Sequence, residues 1–556
     1  MQYKYSTKEK KQYKMKLIND TTKEKLRGGF YTPAPIVNFI LKWAINGNKH
    51  YSILEPSCGD GIFLRQMKEN KFEYDKITAI EMESEEVEKI KRIHLKDLKT
   101  LNCDFYYFCN RTAEKFDLVI GNPPYIRYQY FNKVQREEAE KIFIKAGLKY
   151  SKLTNAWVSF IVGSCILLKD KGKLAFVVPA EILQVSYAKQ LRNYLAYSFN
   201  KISIVSFRKL VFPSIQQEVV LLFCERTENH DHLIEHIEVK DAEYLINLDV
   251  NKLRAPQKKV DFKSNKWTFY FLSQNEINFI EGLINEKQIL PLRTYATVEV
   301  GMTTGSNYFF TVPTSIINQY GLSEYANPLV GRSVQVSGAI FTEKDWKLNS
   351  ENEAKSHILL FPKKKKINNS LVLKYIEKGE SENIHKGFKC GIREEWQIIP
   401  SAWISDALFL RRNNIYPKFV INEAKAYTTD TMHRVTIAKD KKLESGEVID
   451  LNALVASYYN SLSLAFAEIC GRSHGGGVLE LMPNEVENIL IPYKRTNSNL
   501  LIKIDQMMRE GKNIEEILSF TNQIILKDGY GFSERHIKIA DSIWKKLLNR
   551  RMNRAK

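Results

Sequence analysis

The sequence predicts an α/β fold: a doubly wound, mixed sheet over residues 1–245, then an α+β domain, then a helical C-terminal unit. Three observations carry this. Short apolar runs alternate with helical stretches between residues 51 and 224, the mark of a mostly parallel sheet covered on both faces. A glycine turn, Cys58-Gly59-Asp60-Gly61, joins one such run to a helix. Glu55, Glu81 and Asn122 stand at the ends of three separate runs, where open sheets of this kind bind ligands.

Taken in order, strands are read at 51–55, 77–81, 117–121, 173–178, 202–207 and 218–224, with helices at 83–95, 135–147 and 156–169. The last two strands are close in sequence and split by Phe212-Pro213, which suits an antiparallel hairpin whose loop carries Phe212. Residues 226–235 are charged and histidine-rich, and 249–266 mix Lys, Pro and Asn, so the first domain is expected to end near 245. The second, 246–497, shows short strand-like runs at 294–301, 307–312, 407–410 and 417–423, broken by Gly, Pro and Asn. From 498 to 556 the pattern turns helical and amphipathic through Ile502, Ile504, Met507, Met508, Ile514, Ile517 and Leu518, continued by Trp544, Leu547 and Leu548. This segment is expected to pack on the domain before it.

Lys and Arg outnumber Asp and Glu by 83 to 64, giving a net charge of +19 and a pI near 9.3. The excess suits a polyanionic partner, and it equally suits a chain that is simply lysine-rich. Cysteines at 58, 103, 109, 165, 224, 390 and 470 form no C-x-x-C pair, and the histidines show no matching spacing. Buried reduced thiols are expected, and no metal site. The segment Met1–Lys16 lacks the apolar core of a secretory signal, and no run approaches about 18 apolar residues, so the reading is a cytoplasmic protein with no membrane partner.

Asn122-Pro123-Pro124-Tyr125 follows the apolar run Phe116–Gly121. A proline followed by a proline is held extended, so this tetrapeptide offers a rigid turn, the Asn122 side-chain oxygen, the Pro123 carbonyl and an aromatic face. Two acceptors aimed at one exocyclic amine draw its lone pair out of conjugation, and Tyr125 can stack on the ring. An ordinary strand exit with a Pro-Pro stop would look the same in isolation. The preceding motif, Ile53-Leu54-Glu55-Pro56-Ser57-Cys58-Gly59-Asp60-Gly61, reads as strand, glycine turn and helix start. Glu55 can accept from a ligand ammonium. Glu81, twenty residues beyond Gly61, is placed to accept from both hydroxyls of a ribose. Asp104 can accept from an adenine amine, and Phe105 can line the adenine slot.

In this order the motifs resemble the gamma-class adenine-N6 DNA methyltransferases, of which the TaqI enzyme is the familiar example. The resemblance runs from the N-terminus to about residue 235. Gly28-Gly29-Phe30-Tyr31-Thr32-Pro33 is similar to the family's N-terminal cofactor-side motif, and Asn155-Ala156-Trp157 to Leu167-Leu168 to the helix after its catalytic loop. Gly172–Pro179 resembles the next strand, and Val211-Phe212-Pro213 with Glu218–Phe223 the motif whose aromatic stacks on the second face of the base. The resemblance implies a mixed seven-stranded methyltransferase sheet and S-adenosylmethionine as donor. Thr32, Glu55, Pro56, Ser57, Cys58, Gly59, Gly61, Glu81, Met82, Asp104, Phe105, Asn122 and Pro124 would hold it. Asn122, Pro123, Pro124, Tyr125 and Phe212 would form the catalytic set, with target recognition lying C-terminal.

The expected reaction is direct methyl transfer to N6 of an adenine turned out of double-stranded DNA, as the modification component of a restriction–modification or phage-defence system. Tyr125 and Phe212 would sandwich the base, and Asn122 and the Pro123 carbonyl would take its amine protons. Cytosine-N4 methylation, methylation of RNA or of a protein glutamine, and a catalytically silent DNA-binding protein are the competing readings. About 27 residues precede Gly28, so a separately encoded restriction endonuclease, rather than a fused one, is the expected partner of a monomer. In the C-terminal half, Gly301–Tyr308 is expected to lie along a phosphate backbone. Arg332, Arg411, Arg412 and Arg434 are candidates for guanine or phosphate, Asn413 and Asn414 for adenine edges, and Gly475–Gly477 for a close backbone approach.

Overall fold

The computed structural model describes residues 32–45, 51–151, 154–212, 218–227, 231–250, 254–261, 266–363, 367–438, 446–474 and 476–553. Gly28–Tyr31 of the first motif, Pro213, Lys364–Lys366 and Gly475 therefore lie outside the described residues. Two compact units divide between Phe271 and Leu272.

The N-terminal unit is built on nine strands: β1 (Ser52–Glu55), β2 (Lys76–Glu81), β3 (Leu98–Asn102), β4 (Phe116–Gly121), β5 (Leu168–Pro179), β6 (Lys201–Phe207), β7 (Val219–Glu225), β8 (Leu233–Val239) and β9 (Lys258–Lys259). Their order is β3-β2-β1-β4-β5-β7-β6-β8-β9. β1 to β5 run parallel, and β7 is inserted antiparallel between β5 and β6, as the short link from Phe207 to Val219 requires. The first seven strands form the mixed seven-stranded sheet that the sequence resemblance implies. Two more extend its edge. The segment read as a charged linker alternates Ile234, His236, Glu238 against Glu235, Ile237, Val239 and pairs in parallel with β6, with Lys201 opposite Leu233. An edge strand with one polar face carries too little apolar signal to stand out from a linker. β3, also at an edge, escapes the sequence reading for the same reason. With β8, β9 and the turn Trp267–Phe271 joined to the sheet, the unit ends 26 residues beyond the expected 245.

Helices α1 (Ala34–Ala44), α2 (Ile62–Glu69), α3 (Ser84–Lys91), α4 (Phe105–Arg111), α5 (Lys133–Lys145), α6 (Ala156–Leu167) and α7 (Lys189–Ser198) cover the two faces. α1 puts Ile36, Val37, Phe39, Ile40 and Leu41 into one core cluster with Ile53, Leu118, Ala175 and Leu221 of the strands. α6 has no polar face: eleven of its twelve residues are buried. No described helix is long and apolar enough to cross a membrane.

The C-terminal unit contains a five-stranded sheet in the order 296–300, 432–437, 407–410, 419–422, 340–341, and a four-stranded one in the order 311–312, 357–359, 326–330, 427–428. Asn307–Phe310 is a helical turn where a strand was expected. Burial explains it, because the adjacent Phe309 and Phe310 both meet Trp396, with centroids at 4.9 and 6.3 Å, a pair that an extended backbone would split between two faces. The expected helical segment forms 500–509, 514–522 and 534–553, and it belongs to this same compact unit. Ile502, expected on its apolar face, is 73% exposed; Leu501, Ile504 and Met508 take that face.

Candidate active site

The strand order reverses between β1 and β4, so residues ending these two strands share one crevice at the carboxyl edge of the sheet. A cavity of about 470 Å³ opens there. Twelve of the thirteen residues assigned to a cofactor from the sequence line it. The exception is Gly61. It is the left-handed N-cap of α2 (φ 78°), and a Cβ there would come within 2.7 Å of the Ile93 side chain and 3.2 Å of Ile90. Its glycine serves helix packing.

Of the carboxylates that line the cavity, the three assigned to the donor are in different states. Glu55 is 1% exposed, and its Oε2 has no hydrogen-bond partner among the described residues. Burial, followed by repulsion from Asp60 and Glu81, pushes its pKa well up. Glu81 is fixed more firmly: Oε2 accepts from the Gly59 amide at 2.8 Å and Oε1 from the Glu83 amide at 2.9 Å. Burial raises its pKa against the pull of these amides. Two carboxylate oxygens held in one fixed orientation are what two ribose hydroxyls need. Asp104 carries a structural duty beside the one expected of it. Its Oδ1 caps α4 by accepting from the amides of Tyr106 (2.7 Å) and Tyr107 (3.3 Å), and Oδ2 accepts from Gln135 Nε2 at 3.4 Å. Half of this carboxylate is thus committed to holding a helix end.

Several cavity residues act on the wall itself. Cys58 donates its thiol to the Ile80 carbonyl at 3.2 Å and is buried, so it packs β1 against β2. Ser57 Oγ donates to the Asn122 carbonyl at 3.3 Å, tying the two motifs together. Asn122 follows Gly121, whose φ of 151° favours glycine and turns the chain sharply out of β4. Asn122 Nδ2 donates to Thr32 Oγ1 at 3.2 Å, which fixes the orientation of the amide. Tyr125 OH donates to the Val177 carbonyl at 3.2 Å, and its ring packs on the core cluster that includes Phe212. Burial holds the Tyr125 phenol well above its usual pKa. Phe212 is only 7% exposed, where the sequence reading expects a ring displayed on a loop. It belongs to the same core cluster as Ile36, Val205 and Val219, apolar cover that a polar loop tip would lack.

The model of the Eco57I restriction-modification methylase matches residues 38–212, and that of the type II methyltransferase M.Eco57I C-terminal domain matches 264–526. The chain belongs to the Eco57I-like type II restriction-modification methyltransferases. It is 26% identical over 528 residues to the type II methyltransferase M.AccI of Acinetobacter calcoaceticus, covering 89% of this chain and 92% of that one. With M.HincII of Haemophilus influenzae the identity is 27% over 253 residues, 45% of each protein. A solved structure of a nuclease-deletion mutant of the Type ISP restriction-modification enzyme LlaGI with a DNA substrate mimic aligns over 90% of this chain and 56% of that one, at TM-score 0.47 and 12% identity.

As an Eco57I-like methyltransferase the chain uses S-adenosylmethionine, and its cavity fits that molecule. An orphaned, buried carboxylate oxygen on Glu55 suits the ammonium, and a pinned Glu81 suits the ribose. Phe105 and Phe160, stacked with centroids 4.8 Å apart, form an apolar wall for an adenine. Asp60, Ile126, Phe131, Gln135 and Phe160 also line the cavity and are absent from the sequence assignment. One signal was available: Asn132-x-x-Gln135 is a capping-box pattern, and the box forms. Nothing local marks Phe160, which sits in a helix apolar on every side.

Glu55 yields a test with a defined sign. A carboxyl whose folded pKa is raised leaves stability intact below its unfolded pKa and costs stability as pH rises through the folded value. Glu55→Gln is therefore expected to stabilise the ligand-free chain at pH 8 by about 1–3 kcal/mol, the cost of an unsatisfied buried polar group, with little change near pH 4. The same substitution should weaken S-adenosylmethionine binding. Thermal unfolding at both pH values, with calorimetric titration of the donor, checks it; a destabilised variant at pH 8 contradicts the assignment.

Proposed function

We propose that this methyltransferase transfers a methyl group to the exocyclic N6 of an adenine rotated out of duplex DNA, as the modification component of a restriction–modification system. The carrying observation is the neutral amide of Asn122, oriented by Thr32 on the wall of the donor cavity and followed by two prolines. Turning the base out costs a few kcal/mol of stacking and pairing. Tyr125 and Phe212, which both pack in the core cluster when no base is bound, offset part of that when they turn to enclose the ring, at about 1–3 kcal/mol per stacked base. Bound S-adenosylmethionine supplies the methyl group as an electrophile on its sulfonium. Asn122 Oδ1 and the Pro123 carbonyl hold the two amine protons, which favours a pyramidal nitrogen and stabilises the positive charge that develops on it. Glu55, Glu81, Asp104 and Phe105 keep the donor in place, so that the reaction is chiefly a matter of positioning. The C-terminal unit, Leu272–Lys556, reads the target sequence.

Purified chain incubated with labelled donor and mixed genomic duplexes, followed by base-resolved analysis, is expected to carry the label on adenine N6. Label on cytosine N4 would replace this reading with its nearest rival. For the aromatic pair, Phe212→Ala should reduce the fluorescence gain of 2-aminopurine at the target position while donor affinity holds. An unchanged signal removes Phe212 from the base pocket.

A further inference from the structure

Residues of the C-terminal unit that no part of the methyl-transfer machinery uses converge on one surface. Its base is a set of loop-to-loop ties. Arg393 Nη2 donates to the Thr303 carbonyl at 3.0 Å, Asp430 N to the Met302 carbonyl at 3.1 Å, and Thr431 Oγ1 to the Gly331 carbonyl at 2.8 Å. Lys355 closes the circuit. Its backbone carbonyl accepts from Gln335 Nε2 at 3.4 Å, and its ammonium lies 5.3 Å from the centre of the Tyr308 ring. The loop at 303–308, the turn at 331–335 and Lys355 are therefore one continuous face.

Two features of this face call for a partner. Arg332 and Lys355 are exposed neighbours, and no described carboxylate forms an ion pair with either. Partial burial, and then the charge of Arg332, push the Lys355 ammonium below its usual pKa, as expected of cations brought together without an anion. Beside them Val334 is 85% exposed and Tyr308 61%. A single exposed valine says nothing. This one crowns a turn of fixed shape, because the buried Gln335 side chain accepts from the amides of Gly331 (2.7 Å) and Arg332 (2.8 Å).

We propose that this face of the C-terminal unit seats duplex DNA, with Arg332 and Lys355 on backbone phosphates and Val334 as an apolar tip against the adjoining groove. The proposal rests on the reading of DNA as substrate and names the surface that meets it. Paired cations match the charge of successive phosphates, Tyr308 shields Lys355 from water on one side, and a β-branched tip on a rigid turn enters a groove without losing much side-chain freedom.

Fluorescence anisotropy of a labelled mixed-sequence duplex, titrated with full-length protein at several salt concentrations, tests it. Each lost phosphate contact should lower the slope of log K against log salt by about 0.9. Arg332→Gln/Lys355→Gln is therefore expected to weaken binding on the order of tenfold and flatten the slope by about 1.8, with donor affinity and thermal midpoint unchanged. Val334→Ala should weaken binding with the slope intact. Lys374→Gln/Lys503→Gln, on the helices at 370–381 and 500–509, removes the same charge elsewhere and should leave the slope alone. An unchanged slope in the first variant, or an equal fall in the control, overturns the proposal. Methyl transfer is not part of the readout, so the result stands apart from which base is modified. A wild-type chain that binds no duplex would instead overturn the DNA reading itself.

Discussion

With Asn122 replaced by alanine, the methyltransferase is expected to bind S-adenosylmethionine as before and to transfer its methyl group about a hundred- to a thousandfold more slowly. The loop should survive the change. The Ser57 hydroxyl bonds to the Asn122 backbone carbonyl, Tyr125 OH to Val177, and the Ala156 amide to the Ile126 carbonyl at 3.0 Å, none of which uses the Asn122 side chain. What disappears is one acceptor at the reacting nitrogen, together with the bond to Thr32 that orients it. An exocyclic amine keeps its lone pair in the ring unless both protons are held, so the loss falls on the chemical step. Calorimetry for the donor and single-turnover transfer onto a duplex separate binding from chemistry. Wild-type turnover in the variant would remove Asn122 from the mechanism.

The largest stability effect is expected at Arg551. Its guanidinium is 2% exposed and meets Glu468, 4% exposed, through Nε at 3.0 Å to both oxygens and Nη2 at 2.7 Å. Nη2 also donates to the Ile415 carbonyl at 3.0 Å, and Nη1 to the carbonyls of Asn414 and Gly477. One side chain thus ties the terminal helix to three other segments of its unit. Arg551→Ala strands Glu468 in the interior, and loss of one partner of a buried pair costs about 3–5 kcal/mol. Burial raises the Glu468 pKa and Arg551 pulls it down, so without Arg551 the raised value grows. The variant should accordingly lose more stability at pH 8 than at pH 5, where Glu468 can take up a proton. Arg551→Met/Glu468→Met, which removes both charges, should recover most of the loss. Chemical unfolding of the three proteins at the two pH values decides it, and equal losses at both pH values would contradict a buried, unpaired Glu468.

The same contact corrects one expectation. Gly477, one of the glycines after His474, is buried and supplies a carbonyl to Arg551 instead of lying open to a partner. Other polar residues assigned to DNA from their type alone are bonded to their own chain, although the Arg412 side chain stays 67% exposed. Arg411 and Arg412 share Glu480, whose carboxyl is drawn down to about 2 chiefly by His474 and then by Arg412. Arg434 is 6% exposed, stacked over Trp403 and bonded to the Ser401 carbonyl, and Asn413 donates to the Leu410 carbonyl at 2.7 Å. Arginine reads the same in a sequence whether its fork meets a phosphate or its own chain. Arg332, which sits in an equally unremarkable stretch, faces outward with a second cation beside it and, among the described residues, no carboxylate paired to it.

Local chemistry was enough for the central strands and the cavity of the N-terminal unit. Strand ends in a parallel sheet share one edge, so Glu55, Glu81 and Asn122 were bound to meet once the alternation of strand and helix was recognised, and the glycine turn between them has few other uses. Tertiary packing decided the remainder. It set the edge strands β3, β8 and β9, whose pairing depends on a neighbour more than on their own residues, and it placed Phe212 in the core. It divided the arginines of the C-terminal unit between internal ties and an outward face. A side chain's chemistry belongs to its residue, while its partner belongs to whatever the folded chain brings within about 3 Å of it.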